Sequence, residues 1–388
     1  MTRWAASGAM ALTGFPDEPL GPPEPLVEGV ERLSRHFPGL DALALLGERA
    51  ASMGLWRRGT TSCGGSCRLF AVREGWMAVS LPRAEDMEAV PAWLELDEVP
   101  RSGPATWSAV ERSLGAGDPD ELAQRAALLG LPVARLGEAG PTGVLAEPLG
   151  RAPARGAAGL LVVDLSALWA GPLCGDLLAR AGATVVKVES LNRPDGARRG
   201  PAAFFDLLNW RKRSVALDLQ RAEGKRLLHA LVQRADIVIE ASRPRALTQL
   251  GVSARQMVQR DGPQVWISIT GYGRSGDAAN RVGFGDDAAV AGGLVARAGT
   301  TPVFCADAVA DPLTGLTAAN ACLEALSRGG RWLFDVSMAG VSAGLAGPTL
   351  AVPREVPVAD PRAREPERPA PALGADTAQV LAELDLRS

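Results

Sequence analysis

Gly159-Leu-Leu-Val-Val-Asp-Leu-Ser-Ala-Leu-Trp-Ala-Gly-Pro-Leu-Cys-Gly-Asp-Leu-Leu-Ala-Arg-Ala-Gly-Ala-Thr-Val-Val-Lys-Val-Glu189 is a strand, a helix and a second strand in one run. The apolar segment at 160–165 suits a buried strand, the spacing over 171–181 suits a helix, and 184–189 is apolar again. That order is a βαβ unit, whose two strands must pair in parallel. Strand-like segments recur at 215–217, 237–240, 265–269 and 331–338, with a helix at 223–232 between the first two. An α/β fold follows, its larger part a Rossmann-like parallel sheet covered by helices on both faces. Neither Gly-x-Gly-x-x-Gly nor a phosphate loop ending in Gly-Lys-Ser or Gly-Lys-Thr occurs, which disfavours NAD and flavin. Phosphates would then fall to strand-end loops and to cations such as Arg198, Arg199, Arg211, Lys212 and Arg213, although runs of charge by default face water.

Residues 1–150 have a different texture. Five prolines in 16–25 mark an extended linker, and helical spacing resumes at 26–33 and 40–53. Arg57-Arg-Gly-Thr-Thr-Ser-Cys-Gly-Gly-Ser-Cys67 then leads into alternating segments on either side of Glu74-Gly75, which read as a hairpin. Helices at about 105–114 and 119–129 complete a smaller α+β domain, and 140–159 reads as the connection out of it. Three pieces result: 1–150, with the Gly-rich loop and hairpin; 159–350, the Rossmann-like domain; and 351–388, a Pro-rich solvated linker over 353–371 with a short docking helix in the tail. Gly64 and Gly65 would let backbone amides approach a reacting carbonyl, or simply form a turn between helix and hairpin.

Ala308-Val-Ala-Asp-Pro-Leu-Thr-Gly-Leu316 opens a long apolar helix, with Leu316, Ala319, Leu323 and Leu326 at helical spacing. The local pattern makes Asp311 the cap and Pro312 the first helical residue. A carboxylate at the positive end of a helix is also stabilised as the anion and can serve as a nucleophile. Asp286 and Asp287, in Gly283-Phe-Gly-Asp-Asp287, read as a helix cap and a first-turn acid.

Val163-Asp-Leu-Ser166, Ala170-Gly-Pro172, Gly182-Ala-Thr-Val-Val-Lys-Val-Glu189, Lys212-Arg-Ser-Val-Ala-Leu-Asp218, Glu223-Gly224, Ala235-Asp-Ile-Val-Ile-Glu240, Ser268-Ile-Thr-Gly-Tyr-Gly273 and Ala310-Asp311 together resemble the family III CoA-transferases. That group includes formyl-CoA transferase, carnitine CoA-transferase and α-methylacyl-CoA racemase. The resemblance implies that Asp311 accepts the acyl group, that Gly64 and Gly65 belong to a loop folding over the thioester, and that CoA lies along Ala167, Leu168, Trp169, Ala170, Ala241 and Ser242. It also places Arg198, Lys212 and Arg213 on the CoA side, with Tyr272 as an aromatic wall. Phe284 and Gly285 stand where the racemase branch has its proton-exchanging His-Asp pair, so racemization is disfavoured. The chain departs from its relatives at Ala167, Ser190, Gln220 and Ala241, where they carry basic or polar residues, so the resemblance leaves three outcomes for CoA binding: weakened, rearranged around Arg221 and Arg243, or lost. Segment order differs too, because Trp4-Ala-Ala-Ser-Gly-Ala-Met-Ala-Leu-Thr-Gly14 is similar to what relatives carry just before the catalytic aspartate. It echoes Gly292-Gly-Leu-Val-Ala-Arg-Ala-Gly299 within this chain.

The resemblance implies acyl-CoA and a carboxylic acid as partners, with CoA thioester as substrate, no metal and no NAD or flavin, and an interlocked homodimer. Acyl-CoA:carboxylate CoA transfer is the expected activity. A CoA-ester isomerase or lyase of the same fold and a non-catalytic partner subunit are the rivals. A net charge of -3 over 388 residues argues against nucleic-acid binding. Two histidines are too few for an ordinary zinc site, and five cysteines without a Cys-x-x-Cys pair read as reduced cytoplasmic thiols. No apolar run reaches the ~18 residues of a membrane span, and Ser7, Gly8 and Thr13 interrupt any signal-peptide core.

Overall fold

The computed structural model describes residues 1–242, 244–260, 262–353 and 356–386. A three-stranded antiparallel sheet is built from β1 (Cys67–Ala71), β2 (Trp76–Ser80) and β3 (Val133–Arg135), with Gly75 at φ 91° in the hairpin turn. Helices Ala84–Leu94, Gly103–Ala116 and Pro119–Leu129 pack against it around Trp93, Val110 and Leu114.

The large sheet has seven strands: β4 (Val144–Gly150), β5 (Leu161–Asp164), β6 (Thr184–Ser190), β7 (Arg213–Leu217), β8 (Ile237–Glu240), β9 (Val265–Thr270) and β10 (Arg331–Ser337). Their spatial order is β4-β10-β9-β8-β5-β6-β7, parallel throughout except for β4, which runs antiparallel to β10. Residues 140–159 are therefore not just a connection, because β4 covers the β10 edge. The sheet order reverses between β5 and β8. In open α/β sheets, the crevice beyond the strand C-termini at such a reversal is where ligands bind. Apolar side chains cover both faces: Val162, Ile237, Ile239 and Ile267 face one core, and Val163, Val186, Val238 and Trp266 face the other, as strands buried on both sides require.

Residues 1–66 lie against this sheet layer rather than apart from it. Trp4, Met10, Leu26, Leu45 and Leu46 share a core cluster with Leu173, Leu177, Leu313 and Leu316. The internal echo is repeated in the backbone: Gly8 and Gly14 have φ of 87° and 115°, and their counterparts Gly293 and Gly299 have 75° and 59°. Of the expected linker, residues 356–371 are held against the chain rather than free in solvent. Ala359 N–H donates to Ala5 O at 3.0 Å, and Arg364 donates to Glu48 at 2.6 Å and to Asp176 at 2.6 Å, both of them buried. The tail helix is Thr377–Glu383; Asp376 ahead of it accepts from Ser214 N–H of β7 at 2.7 Å. No helix among the described residues is long and apolar enough to cross a membrane.

Candidate active site

Two strand-end loops border the sheet reversal. The first, 165–169, leaves β5 and enters helix Ala170–Arg180; the second, at Ala241 and Ser242, leaves β8. Buried charges hold the first loop in place. Asp164 accepts from Ser166 N–H at 3.0 Å and from Lys212 Nζ at 2.8 Å, and Lys212 also donates to Pro172 O at 2.8 Å. Lys187 donates to Ser166 O at 2.9 Å and pairs with Asp195 at 2.9 Å, while Asp195 accepts from Leu168 N–H at 3.0 Å. Burial alone would raise the Asp164 carboxyl, but Lys212 and Lys187 outweigh it and hold the group below the ordinary carboxylate range. Leu168 at the loop tip sits at φ 69°, a left-handed conformation that a branched side chain adopts only when its surroundings enforce it.

Asp311 lies across from this loop. Helix Ala310–Arg328 begins two residues earlier than its cap pattern suggests: Val309 is the N-cap, and Asp311 falls in the first turn without capping it. The expected capping role of Asp311 is thus replaced by a tertiary one. Its carboxylate accepts the N–H of Ala170, at the start of helix Ala170–Arg180, and the residue as a whole is half-buried. Helix Gly285–Ala291 also starts here. A Cβ on Gly285 would stand 2.3 Å from Asp311 Oδ2 and 2.4 Å from Ala308 O, so only glycine allows the carboxylate this position. Three helix N-termini therefore meet at one carboxylate, an arrangement that favours negative charge. Ala306 and Ala308, immediately upstream, are both at positive φ, 55° and 42°.

The surroundings are acidic. Asp286 accepts from Ala308 N–H at 3.1 Å, and Asp287 accepts from Ser80 Oγ at 2.8 Å and from Phe284 N–H at 3.1 Å. Asp307 is engaged by Arg49, whose Nε and Nη2 donate to its two oxygens at 2.9 and 2.5 Å. Burial pushes the carboxyls up, Asp286 to about 6 and Asp287 and Asp311 each to about 7; Arg49 pulls against this at Asp286 and Asp311, and Asp286 adds to the rise at Asp311. The groups contacting these acids from residues 1–80 are Arg49, Ser62 and Ser80.

The other expected site residues divide. Ala167, Leu168, Trp169 and Ala170 do line the loop at the reversal, and Ala241 and Ser242 lie at the end of β8, Ser242 N–H donating to Glu240 at 2.8 Å. Gly64 stands close to Arg49, whereas the Gly65 N–H is held in a turn by Ser62 O at 2.9 Å. Phe284 is the N-cap of helix Gly285–Ala291, under the Arg83 guanidinium at 5.6 Å. Tyr272 packs beneath Arg281 at 3.9 Å. The cations expected at phosphates are engaged inside the chain: Arg198 forks onto Glu189 at 2.6 and 2.9 Å, Lys212 is buried against Asp164, and Arg213 pairs with Glu383 of the tail helix. Arg199 is exposed and makes no ion pair among the described residues; Arg221 pairs with Asp218 at 3.3 Å, and Arg243 lies outside the described residues. No group of residues suited to a metal ion occurs among the described residues. Reading the sequence missed Arg49, Asp307, Ser62, Ser80 and Lys187. Only Lys187 had a local signal, as a lysine inside an otherwise largely apolar strand.

A family model described as CoA-transferase family III matches residues 158–371, from just before β5 into the 353–371 segment. The succinyl-CoA–L-malate CoA-transferase beta subunit of Chloroflexus aurantiacus is 36% identical over 180 residues, 44% of this chain and 44% of its own. The succinyl-CoA–D-citramalate CoA-transferase of the same organism is 32% identical over 175 residues, covering 42% and 44%. Formyl-CoA:oxalate CoA-transferase of Escherichia coli is 30% identical over 178 residues, 43% of each chain. This chain thus spans less than half the length of the curated relatives it matches. A solved CAIB/BAIF family protein from Brucella suis is 31% identical, covering 50% of this chain and 56% of that one, with a TM-score of 0.44.

Proposed function

Because the chain belongs to CoA-transferase family III, we propose that it moves coenzyme A from an acyl-CoA to a carboxylic acid through a covalent intermediate on Asp311. The observation that carries this reading is the placement of Asp311: a half-buried residue whose carboxylate is free of any cap of its own helix and held by the Ala170 amide at the sheet reversal. An Asp311 oxygen adds to the thioester carbonyl carbon, the C–S bond breaks, and CoA departs as thiolate from an acyl-aspartyl anhydride. The thiolate then attacks the aspartyl carbonyl, the anhydride C–O bond breaks, and the first acid leaves as carboxylate, giving an aspartyl-CoA thioester. The incoming carboxylate repeats both steps in reverse. No net proton transfer is needed, and two balanced acyl transfers replace one difficult displacement.

The relatives' names make succinyl-CoA the first donor to test. Exchange of labelled succinate into succinyl-CoA should vanish in Asp311→Ala; undiminished exchange would end the assignment. Proton exchange of the racemase kind is disfavoured by Gly285, which leaves no room for a side chain beside Asp311. A homodimer and a cytoplasmic location belong to the same proposal. One observation favours a second reading, a non-catalytic partner subunit: Arg198, Lys212 and Arg213 are all engaged in internal ion pairs. Calorimetry with CoA separates the two, because a catalytic subunit must bind it and millimolar CoA without heat would favour the partner role.

A further inference from the structure

Two hydrogen-bond donors on residues close to Asp311 have no acceptor among the described residues. Arg49 uses Nε and Nη2 for Asp307, which leaves Nη1 without a hydrogen bond among the described residues, while the side chain remains 26% exposed. Its guanidinium lies over the Trp169 ring at 5.2 Å. Trp169 is 3% exposed, and its buried indole Nε1 has no acceptor either. Trp169 directly precedes Ala170, whose N–H holds Asp311. Indole and guanidinium nitrogens are donors only, so a ligand that meets them brings acceptor oxygens. Charge narrows the choice. Asp286, Asp307 and Asp311 all act on the same spot, and Arg49 is the cation among the groups acting on Asp311. A second carboxylate could approach such a place only if a charge-assisted donor met it.

Resting on the proposed transfer reaction, we infer that Arg49 Nη1 and Trp169 Nε1 form the binding locus for the carboxylate of the acceptor acid, so that the first segment of the chain supplies the acid subsite in cis. The locus holds one carboxylate and leaves the rest of the acid unspecified. Trp169 orients the guanidinium by its ring face as well as donating from its edge. Asp307 fixes the other edge, so that Arg49 enters the site preorganised.

The test uses the full-length protein with acetyl-, propionyl-, succinyl- and malonyl-CoA, each with its matching labelled acid. Incubation with acyl-CoA alone, followed by intact-mass measurement, reports the aspartyl-CoA adduct, and adding acid reports its discharge. In Trp169→Phe the ring stays and only Nε1 is lost; in Arg49→Gln/Asp307→Asn the charge is removed without leaving a lone buried carboxylate. We expect the acid concentration for half-maximal discharge to rise several-fold in the first and at least tenfold in the second. The half-maximal acyl-CoA concentration for adduct formation should change by a smaller factor than the half-maximal acid concentration in both. Adduct formation with unchanged acid dependence in both variants overturns this inference and leaves the transfer reaction standing. No adduct on the wild-type protein with any of the four donors overturns both.

Discussion

In the proposed reaction Asp311 must be ionised to add to a carbonyl, and burial, reinforced by Asp286, holds its carboxyl at about 7. The exchange rate at low substrate should therefore rise with pH, roughly tenfold per unit below 7, and level off above it; an activity that falls over pH 6 to 8 would mean that the protonated form is the working one. Gly285→Ala places a methyl against Asp311 Oδ2 and Ala308 O, and backbone cannot yield cheaply. We expect exchange to fall at least tenfold, with a stability loss of about 1–3 kcal/mol in urea titration. Asp287 offers a stability test. Its folded carboxyl, pushed up to about 7 from 3.8, takes up a proton that the unfolded chain does not hold between those values. Its contribution is complete below about pH 4 and disappears as pH rises through 7. Asp287→Asn should flatten part of the fall in melting temperature between pH 5 and 8, and an unchanged slope would show that Asp287 does not drive it.

At the scale of elements, the strand-end loop 165–169 owes its shape to two buried lysines, Lys187 from β6 and Lys212 just ahead of β7. Replacing Lys212 by Met leaves Asp164 buried with one partner fewer, which costs about 3–5 kcal/mol when a buried pair is broken. The same substitution loosens the start of helix Ala170–Arg180, whose first amide holds Asp311. Exchange should therefore fall at urea concentrations well below the unfolding midpoint. Coincident loss of exchange and fold would place the effect in global stability alone. Legibility at this scale was uneven. The βαβ alternation, the hairpin and the helix 119–129 were all readable, because period and turn residues are local. The start of the 310–328 helix was not, because a tertiary partner, the Ala170 amide, takes the carboxylate that the local rule assigns to the cap.

At the scale of the molecule, the two ends of the chain are tied together across the large sheet. Arg364 bridges Glu48 and Asp176, both of them 1% exposed, and Arg213 holds the tail helix through Glu383. Arg364→Ala strands two buried carboxylates. Because Arg364 itself is partly exposed, we expect a loss of about 2–4 kcal/mol rather than the full cost of a sealed pair, read as a shift of the urea midpoint with unchanged slope. A change within error would show that the 356–371 segment is a passenger.

What followed from the sequence alone was the alternating architecture, the family resemblance and the choice of Asp311 as the candidate nucleophile, since strand period, turn residues and ordered motifs are all recorded locally along the chain. Where the charges go was decided only in three dimensions. Arg49 meets Asp307, Lys212 meets Asp164 and Arg364 meets Glu48 across 258, 48 and 316 positions. A buried cation is stable only beside a counter-charge, and no local pattern says which distant carboxylate the fold will bring to it.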